Sequence, residues 1–232
     1  VENTSRVFNI LFSDEFPEDV RESLLYWTRE MIYGMSEFLG RRIITIKDQD
    51  NYCYYVAGTV GHTLTEIYRF NGHISQEEFS RIERLSDDFA LGLQKVNIIK
   101  NIRTDFEEGR RYLPLELIEK QKISYNGLFD ESNVKEALTV LNQLVENAQQ
   151  HLDKALEYIL IIPATQEKLR ISDEIPLFLA MATLSECYNN PKIFLNEVKI
   201  SRLKVEEIVR NSREICRDNK RIRDYYNSLK IR

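Results

Sequence analysis

The sequence predicts an all-α protein, built as a single domain of 232 residues. Apolar residues recur at helical spacing along almost the whole chain. Only 8 Gly and 5 Pro interrupt that spacing, which favours long helices over a β architecture with many turns. The balance of 43% hydrophobic and 30% charged residues is typical of a folded domain with a sizeable core.

Start and stop signals define the first two helices. Acidic residues follow Pro17. Proline and acidic side chains are both favoured in the first turn of a helix, so we predict a helix over residues 17–39. Helical spacing resumes after an irregular connection and predicts a second helix over residues 48–70. We expect this second helix to be capped near Asp50.

Ser75 begins the third predicted helix. Glu78 follows three residues later, and the two form a capping box. We expect this helix to bend and then to continue through Asp105. After a break at Gly109, Pro114 starts a short helix, because Pro is favoured in the first turn.

The second half of the chain predicts one long, one central and one outer helix. Ser132 or Asn133 caps the long helix, which ends just before Pro163. Residues 175–188 are apolar on nearly every face, so their helix should be central. Residues 203–229 form a charged amphipathic helix, which we expect on the outside.

Charge and cysteine content narrow the environment and the partners. The 37 acidic and 32 basic residues give a net charge of -5, which weighs against a nucleic-acid partner. The three cysteines show no zinc-binding spacing, so we predict reduced, mostly buried thiols in a cytoplasmic protein. We see no signal peptide or membrane anchor, because residues 158–164 form the longest apolar run.

A polar stripe runs along the third helix. Gln94, Asn97, Asn101 and Asp105 are spaced so that they project within roughly a 60° arc. A solvent-facing side is one interpretation. Lysines, however, lie off the stripe, which consists of amides and one carboxylate. We therefore favour a cavity wall that holds a metal ion or a polar ligand.

Two arginines follow the stripe directly. Arg110 and Arg111 come after the turn at Gly109, and guanidinium groups match phosphate oxygens in a bidentate manner. A carboxylate-held Mg²⁺ beside arginines is the combination that a diphosphate leaving group requires. A charged surface loop is the alternative interpretation.

The second helix contains small residues at Ala57, Gly58 and Gly61. Glycine inside a helix costs about 1 kcal/mol relative to alanine, so some other interaction must offset that cost. Close approach of another helix is one explanation, and room for a bulky apolar ligand is the other. The residues on one face of this helix are Tyr52, Val56, Thr59 and Thr63, which would put a phenol at the end of a smooth wall.

Four segments together resemble the squalene synthases of the squalene/phytoene synthase family. Residues 52–61 read YCYYVAGTVG, and residues 93–114 read LQKVNIIKNIRTDFEEGRRYLP. Residues 175–202 contain ATLSECYNN and VKI, and residues 27–39 resemble the segment that precedes the first motif. The resemblance implies an isoprenoid-synthase-type helical bundle around a central apolar cavity.

The resemblance also implies an activity and its cofactors. Two farnesyl diphosphates would be joined head to head through presqualene diphosphate, and NADPH would reduce that intermediate to squalene. Mg²⁺ would be bound at Asn101 and Asp105, and Tyr52 would be catalytic. Gln94 and Asn97 would line the substrate site. The product would be lipid-soluble, so peripheral contact with a membrane is an open alternative.

Two departures from the family pattern qualify this expectation. Asn101 stands where the family has the first aspartate of its second metal-binding motif, and a neutral amide should bind Mg²⁺ more weakly. The family's first aspartate-rich motif does not occur in residues 1–232. We therefore expect N-terminal helices to be missing from this domain and to be supplied by a longer polypeptide or a second chain. A degenerate relative is the third explanation.

Three hypotheses for function follow. The first is a transferase with squalene-synthase-like chemistry. The second is a non-catalytic or incomplete family member that binds isoprenyl diphosphates without converting them. The third is a helical scaffold for protein partners, which a solvated outer helix explains more simply.

Overall fold

Eleven α-helices make up most of residues 2–231, the part of the chain that this computed structural model describes, and no β-strand occurs among those residues. In chain order the helices are α1 (Glu2–Leu11), α2 (Glu18–Glu37), α3 (Ile46–Cys53), α4 (Thr59–Phe70), α5 (Gln76–Lys100), α6 (Ile102–Glu107), α7 (Leu115–Lys120), α8 (Val134–Ile161), α9 (Glu167–Cys187), α10 (Arg202–Ile215) and α11 (Asn219–Leu229). The predicted all-α class is confirmed.

The core is centred on α5, α8 and α9. α5 packs along α8, and both pack against α9. A Cβ atom on Gly92 would lie 2.7 Å from the Leu152 side chain, so glycine allows α5 and α8 to approach closely. Most of the apolar residues of α9 from Leu177 to Cys187 are buried, as predicted for a central helix. α10 and α11 pack against α9 from outside.

Local capping signals fixed two helix starts as predicted. The Ser75 hydroxyl accepts a hydrogen bond from the Glu78 N–H, and the Glu78 carboxylate accepts one from the Ser75 N–H. Pro114 directly precedes α7. The predicted cap near Asp50 is wrong, because Thr45 and Asp48 form the capping box and Asp50 lies inside α3.

Three predicted helices are interrupted. A π-helical turn, Tyr54–Gly58, separates α3 from α4. The third helix ends at Asn101, whose φ of -104° and ψ of 12° break the helical path, so Asp105 belongs to α6. The outer segment is two helices, and the Asp218 carboxylate caps the second by accepting from two backbone N–H groups.

The long helix α8 and the central helix α9 begin differently from the predictions. α8 follows Asn133, whose side chain makes no capping hydrogen bond, and the Asp130 carboxylate caps the short turn Glu131–Asn133 before it. α9 begins eight residues earlier than predicted and contains Pro176. All three cysteines are free and buried, as predicted. Among residues 2–231, each helix is too short or too polar for a membrane crossing.

Candidate functional site

Two loops and one helix enclose a cavity of about 320 Å³, which we call the arginine cavity. One loop follows α2, the other follows α6, and α3 supplies Tyr52. Four arginines and two tyrosines dominate the wall. The lining residues are Phe38, Gly40, Arg41, Arg42, Ile43, Tyr52, Gly109, Arg110, Arg111 and Tyr112.

Hydrogen bonds of the backbone and of side chains join the segments around the arginine cavity. The N–H of Leu115 donates to the Ile43 carbonyl at 3.1 Å. The Ile46 N–H, at the start of α3, donates to the Glu116 carboxylate at 2.6 Å. The buried Gln49 side chain donates to the Tyr112 carbonyl at 2.9 Å. Residues far apart in sequence therefore meet at this cavity.

The four arginines differ in how their charges are balanced. Arg110 pairs with Asp105 at 2.8 Å and also with Glu108. Arg41 pairs with Asp48 at 2.9 Å. Arg42 and Arg111 form no ion pair within residues 2–231. The cavity therefore carries positive charge that the neighbouring carboxylates Asp48, Asp105 and Glu108 do not fully neutralise.

Arg111 is positioned by aromatic rings. Its guanidinium lies 4.1 Å from the centroid of the Phe106 ring and 5.1 Å from that of Tyr125. It also donates to the Phe106 carbonyl at 2.9 Å. The two rings and this hydrogen bond together restrict the position of the guanidinium group.

Tyr52 lies half-buried in the same wall. Its ring stacks on Tyr112 with centroids 4.8 Å apart and meets Phe38 edge-on at 5.6 Å. Burial, and then the neighbouring Tyr112 phenol, raise the pKa of Tyr52, with a smaller contribution from Asp105. Tyr52 is therefore a neutral O–H donor across the physiological range.

The polar stripe does not line one surface. Gln94 lies in a second cavity, and Asn97 is exposed. The Asn101 amide donates to the Asn97 side chain at 3.2 Å. Asp105 lies beyond the helix break, where Arg110 holds it. The structure thus brings Asp105, Arg110, Arg111 and Tyr52 together and leaves Gln94 elsewhere.

The donor atoms near Asp105 fit only part of a magnesium site. Asp105 supplies one carboxylate, and Asn101 supplies an amide oxygen four residues away. No group of three His, Cys, Asp or Glu side chains suited to a metal occurs between residues 2 and 231. Mg²⁺ commonly takes one or two protein carboxylates and completes its shell with phosphate and water oxygens. These residues fit an ion that arrives with phosphate ligands.

The second cavity, which we call the apolar cavity, also measures about 320 Å³. The π turn, α4, α5 and α9 enclose it. A Cβ atom on Gly61 would lie 3.1 Å from the Ser86 carbonyl oxygen, so this glycine serves close helix approach as well as cavity space. The lining residues are Val56, Ala57, Val60, Gly61, Leu64, Phe89, Ala90, Leu93, Gln94, Ser172, Asp173 and Pro176.

One segment contributes to both cavities. Tyr52 lies in the wall of the arginine cavity, and Val56, four residues later, lies in the wall of the apolar cavity. The predicted smooth face through Thr59 is wrong, because the π turn changes the register and Thr59 is buried. Sequence reasoning also missed Arg41 and Arg42, although two adjacent arginines in a loop were a visible signal.

Known proteins share both the sequence and the fold. The sequence model of the squalene/phytoene synthase family matches residues 17–205. Squalene synthase LSS of Botryococcus braunii is 34% identical over 183 residues, which are 78% of this chain and 39% of that protein. The squalene synthase of Dictyostelium discoideum is 35% identical over 173 residues, with 75% and 41% covered. The chain thus spans about two fifths of these relatives' length.

Solved structures agree with the sequence matches. The complex of TcSQS with the ligand E5700 superposes with a TM-score of 0.84 at 30% identity, covering 93% of this chain and 63% of that chain. A dehydrosqualene synthase superposes with a TM-score of 0.63 at 18% identity and shows the shared fold alone. On these matches in sequence and fold, the chain belongs to the squalene/phytoene synthase family.

Proposed function

We propose that this chain works as a squalene-synthase-like transferase. It would join two farnesyl diphosphates head to head through presqualene diphosphate, with NADPH reduction to squalene. The observation that carries the proposal is the pairing of an arginine cavity with an apolar cavity along one segment. A prenyl diphosphate has the same division into a charged head and an apolar chain.

The arginine cavity would bind the diphosphate. Arg42 and Arg111 have no carboxylate partner among residues 2–231, so their charge is available to phosphate oxygens. Arg110 adds a third guanidinium, now shared with Asp105. Guanidinium groups in a fixed plane suit bidentate phosphate recognition.

Asp105 and Asn101 would hold Mg²⁺ beside those arginines. When bound, the ion would neutralise negative charge that develops on the leaving diphosphate. The Asn101 amide contributes no charge, so we expect weaker binding than two carboxylates would give.

Tyr52 would contact the reacting end of the substrate. Its raised pKa keeps the phenol protonated, so it would donate a hydrogen bond to a diphosphate oxygen. The stacked Tyr112 ring restricts its orientation. Gln94 and Asn97 remain proposed substrate contacts, although Asn97 is exposed and would need the ligand to reach it.

The apolar cavity would hold the prenyl chain. Its wall is mostly aliphatic, and burial of each additional methylene stabilises a bound chain by about 0.8 kcal/mol. The role of NADPH is supported by family likeness alone. The product would be lipid-soluble, so peripheral contact of a cytoplasmic protein with a membrane surface forms part of the proposal.

A second candidate is a family member that binds prenyl diphosphates without converting them. Asn101 favours it, because the site has a single carboxylate at the position where Mg²⁺ would bind. Calorimetry would then show Mg²⁺-dependent binding of farnesyl diphosphate while the compound is recovered unchanged.

The test is to incubate the protein with farnesyl diphosphate, Mg²⁺ and NADPH and to analyse the extract by mass spectrometry. We expect squalene, and a loss of about 100-fold or more in turnover for Asp105→Ala. Glu167→Gln is the matched control, because Glu167 also pairs with an arginine, Arg217, but lies at the start of α9. Unchanged turnover in Asp105→Ala would refute the site assignment.

If presqualene diphosphate is the end product, the protein couples the two substrates but does not reduce the intermediate, and the reduction step of the proposal is wrong. Recovery of unchanged farnesyl diphosphate together with measurable binding would favour the second candidate.

A further inference from the structure

The wall of the apolar cavity contains one ionisable side chain. Asp173 lies on α9 between Ser172 and Glu174, and only 6% of its surface is exposed. The other described residues of the wall are apolar, apart from Gln94 and Ser172. A carboxyl group at such a position is unusual, because charged groups are seldom buried without a partner.

Asp173 is only half satisfied by hydrogen bonds. The Tyr68 hydroxyl, on α4, donates to Asp173 Oδ1 at 3.0 Å. Asp173 Oδ2 is buried and accepts no hydrogen bond from any residue between 2 and 231. One oxygen is thus held in place by Tyr68, and the other is left without a hydrogen-bond partner in the wall of the cavity.

No cation of the described chain neutralises Asp173. Tyr158 on α8 and Glu174 on α9 are its other ionisable neighbours, and neither carries positive charge. Arg170, one turn earlier on α9, donates instead to the carbonyl groups of Ile162 and Cys216. The described chain therefore supplies no positive charge to the carboxylate form of Asp173.

Burial sets when this carboxyl is charged. The surrounding apolar groups raise the pKa of Asp173 to about 7, while the Tyr68 hydrogen bond acts in the opposite direction. Near neutral pH both the acid and the carboxylate are populated. A positive charge beside Asp173 would favour the carboxylate.

We propose that Asp173 is a ligand-contacting group of the apolar cavity, which therefore selects an apolar chain that carries positive charge over the same chain without it. The inference rests on the proposed function only in treating this cavity as the place of a prenyl chain. It adds a specificity-determining residue on α9, a helix that supplies none of the residues of the arginine cavity.

The test compares two probes with the same chain, farnesylamine and farnesol, by isothermal titration calorimetry at pH 6 and pH 8. At pH 8 we expect the protonated amine to bind about tenfold or more tightly than the alcohol, because a hydrogen bond to a charged group is a strong one. The preference should shrink at pH 6, where Asp173 binds a proton.

Asp173→Asn should lose the preference for the protonated amine over the alcohol. Glu174→Gln is the matched control, because Glu174 is also a buried carboxyl of α9 but does not line the cavity. Tyr68→Phe removes the hydrogen bond to Asp173 and should shift the onset of the preference to higher pH. Circular dichroism of each variant checks that the helices are retained.

An equal preference in wild type and Asp173→Asn would overturn this inference and leave the proposed function standing. Loss of the preference in Glu174→Gln would overturn it as well. Absence of binding for both probes would overturn the inference together with the assignment of this cavity to a prenyl chain.

Discussion

The two cavities have similar volumes but hold charge in opposite ways. The arginine cavity gathers four guanidinium groups at the surface, where Arg110 is 44% exposed. The apolar cavity holds a single carboxyl, Asp173, away from water. Exposed charges are screened by solvent and salt, so the affinity of the arginine cavity for an anion must come from the number of guanidinium groups and from their geometry. A single buried charge acts strongly, and its effect depends on pH.

The largest effect that would test this contrast concerns protein stability. Asp173 has a folded-state pKa of about 7 against an ordinary value of 3.8. The folded protein then holds the proton more tightly, so the contribution of Asp173 to stability is present below about pH 4 and is lost as pH rises to about 7. Asp173→Asn should therefore raise the free energy of unfolding at pH 8 by on the order of a few kcal/mol, and raise Tm with it. Near pH 4 both quantities should be unchanged.

Thermal unfolding followed by circular dichroism from pH 4 to pH 8 measures this difference. Glu167→Gln is the control, because a surface ion pair contributes little and Tm should change little at either pH. If Asp173→Asn raises Tm by the same amount at pH 4 and at pH 8, a change in packing causes the increase, and the charge of Asp173 does not.

A smaller effect should appear at the arginine cavity. Arg110→Gln removes one guanidinium, and we expect about tenfold weaker binding of inorganic pyrophosphate, since one hydrogen bond between charged groups is lost. Calorimetry at two salt concentrations measures it, and the difference should narrow at high salt because exposed charges are screened.

Arg217→Gln is the matched control for that experiment. Arg217 also pairs with a carboxylate, Glu167, and is exposed, but it lies outside the arginine cavity. Equal binding by the wild type and Arg110→Gln would remove Arg110 from the anion site.

The smallest predicted effect concerns the scaffold of the arginine cavity. Thr45→Ala removes the hydroxyl that caps α3 and should lower the free energy of unfolding by about 1 kcal/mol. Because this cap also fixes Asp48, the partner of Arg41, pyrophosphate binding should weaken slightly. Thr45→Ser keeps the hydroxyl and should restore both values. Failure of Thr45→Ser to restore them would point to the lost methyl group.

Local signals in the sequence were enough for much of the fold. Ser75 with Glu78, and Pro114, act within one helical turn, so their helix starts were predictable. A bend in the third helix was expected, but not a break at Asn101, because the residues on both sides continue the helical spacing of apolar side chains. After the break, α6 packs against the short turn Pro191–Phe194, a tertiary contact that the local sequence does not reveal.

The candidate site was predictable only in part for the same reason. Arg110 and Arg111 were found because they follow the polar stripe in sequence, whereas Arg41 and Arg42 reach the cavity through loop contacts far from it. Asp173 lies just before the predicted start of the central helix at residue 175. An acidic pair at the edge of a fully apolar run was the signal that could have identified it.

Because of the π turn at Tyr54–Gly58, the position of Tyr52 depends on the number of residues between Tyr52 and α4. Such a turn amounts to an α-helix with one inserted residue. Deleting one residue would rotate everything before it by about 100° relative to α4, since an α-helix has 3.6 residues per turn. A shortened chain could keep every side chain of the two cavities and still turn Tyr52 away from the arginines. Relatives that differ here by one residue would therefore diverge in chemistry before they diverge in fold.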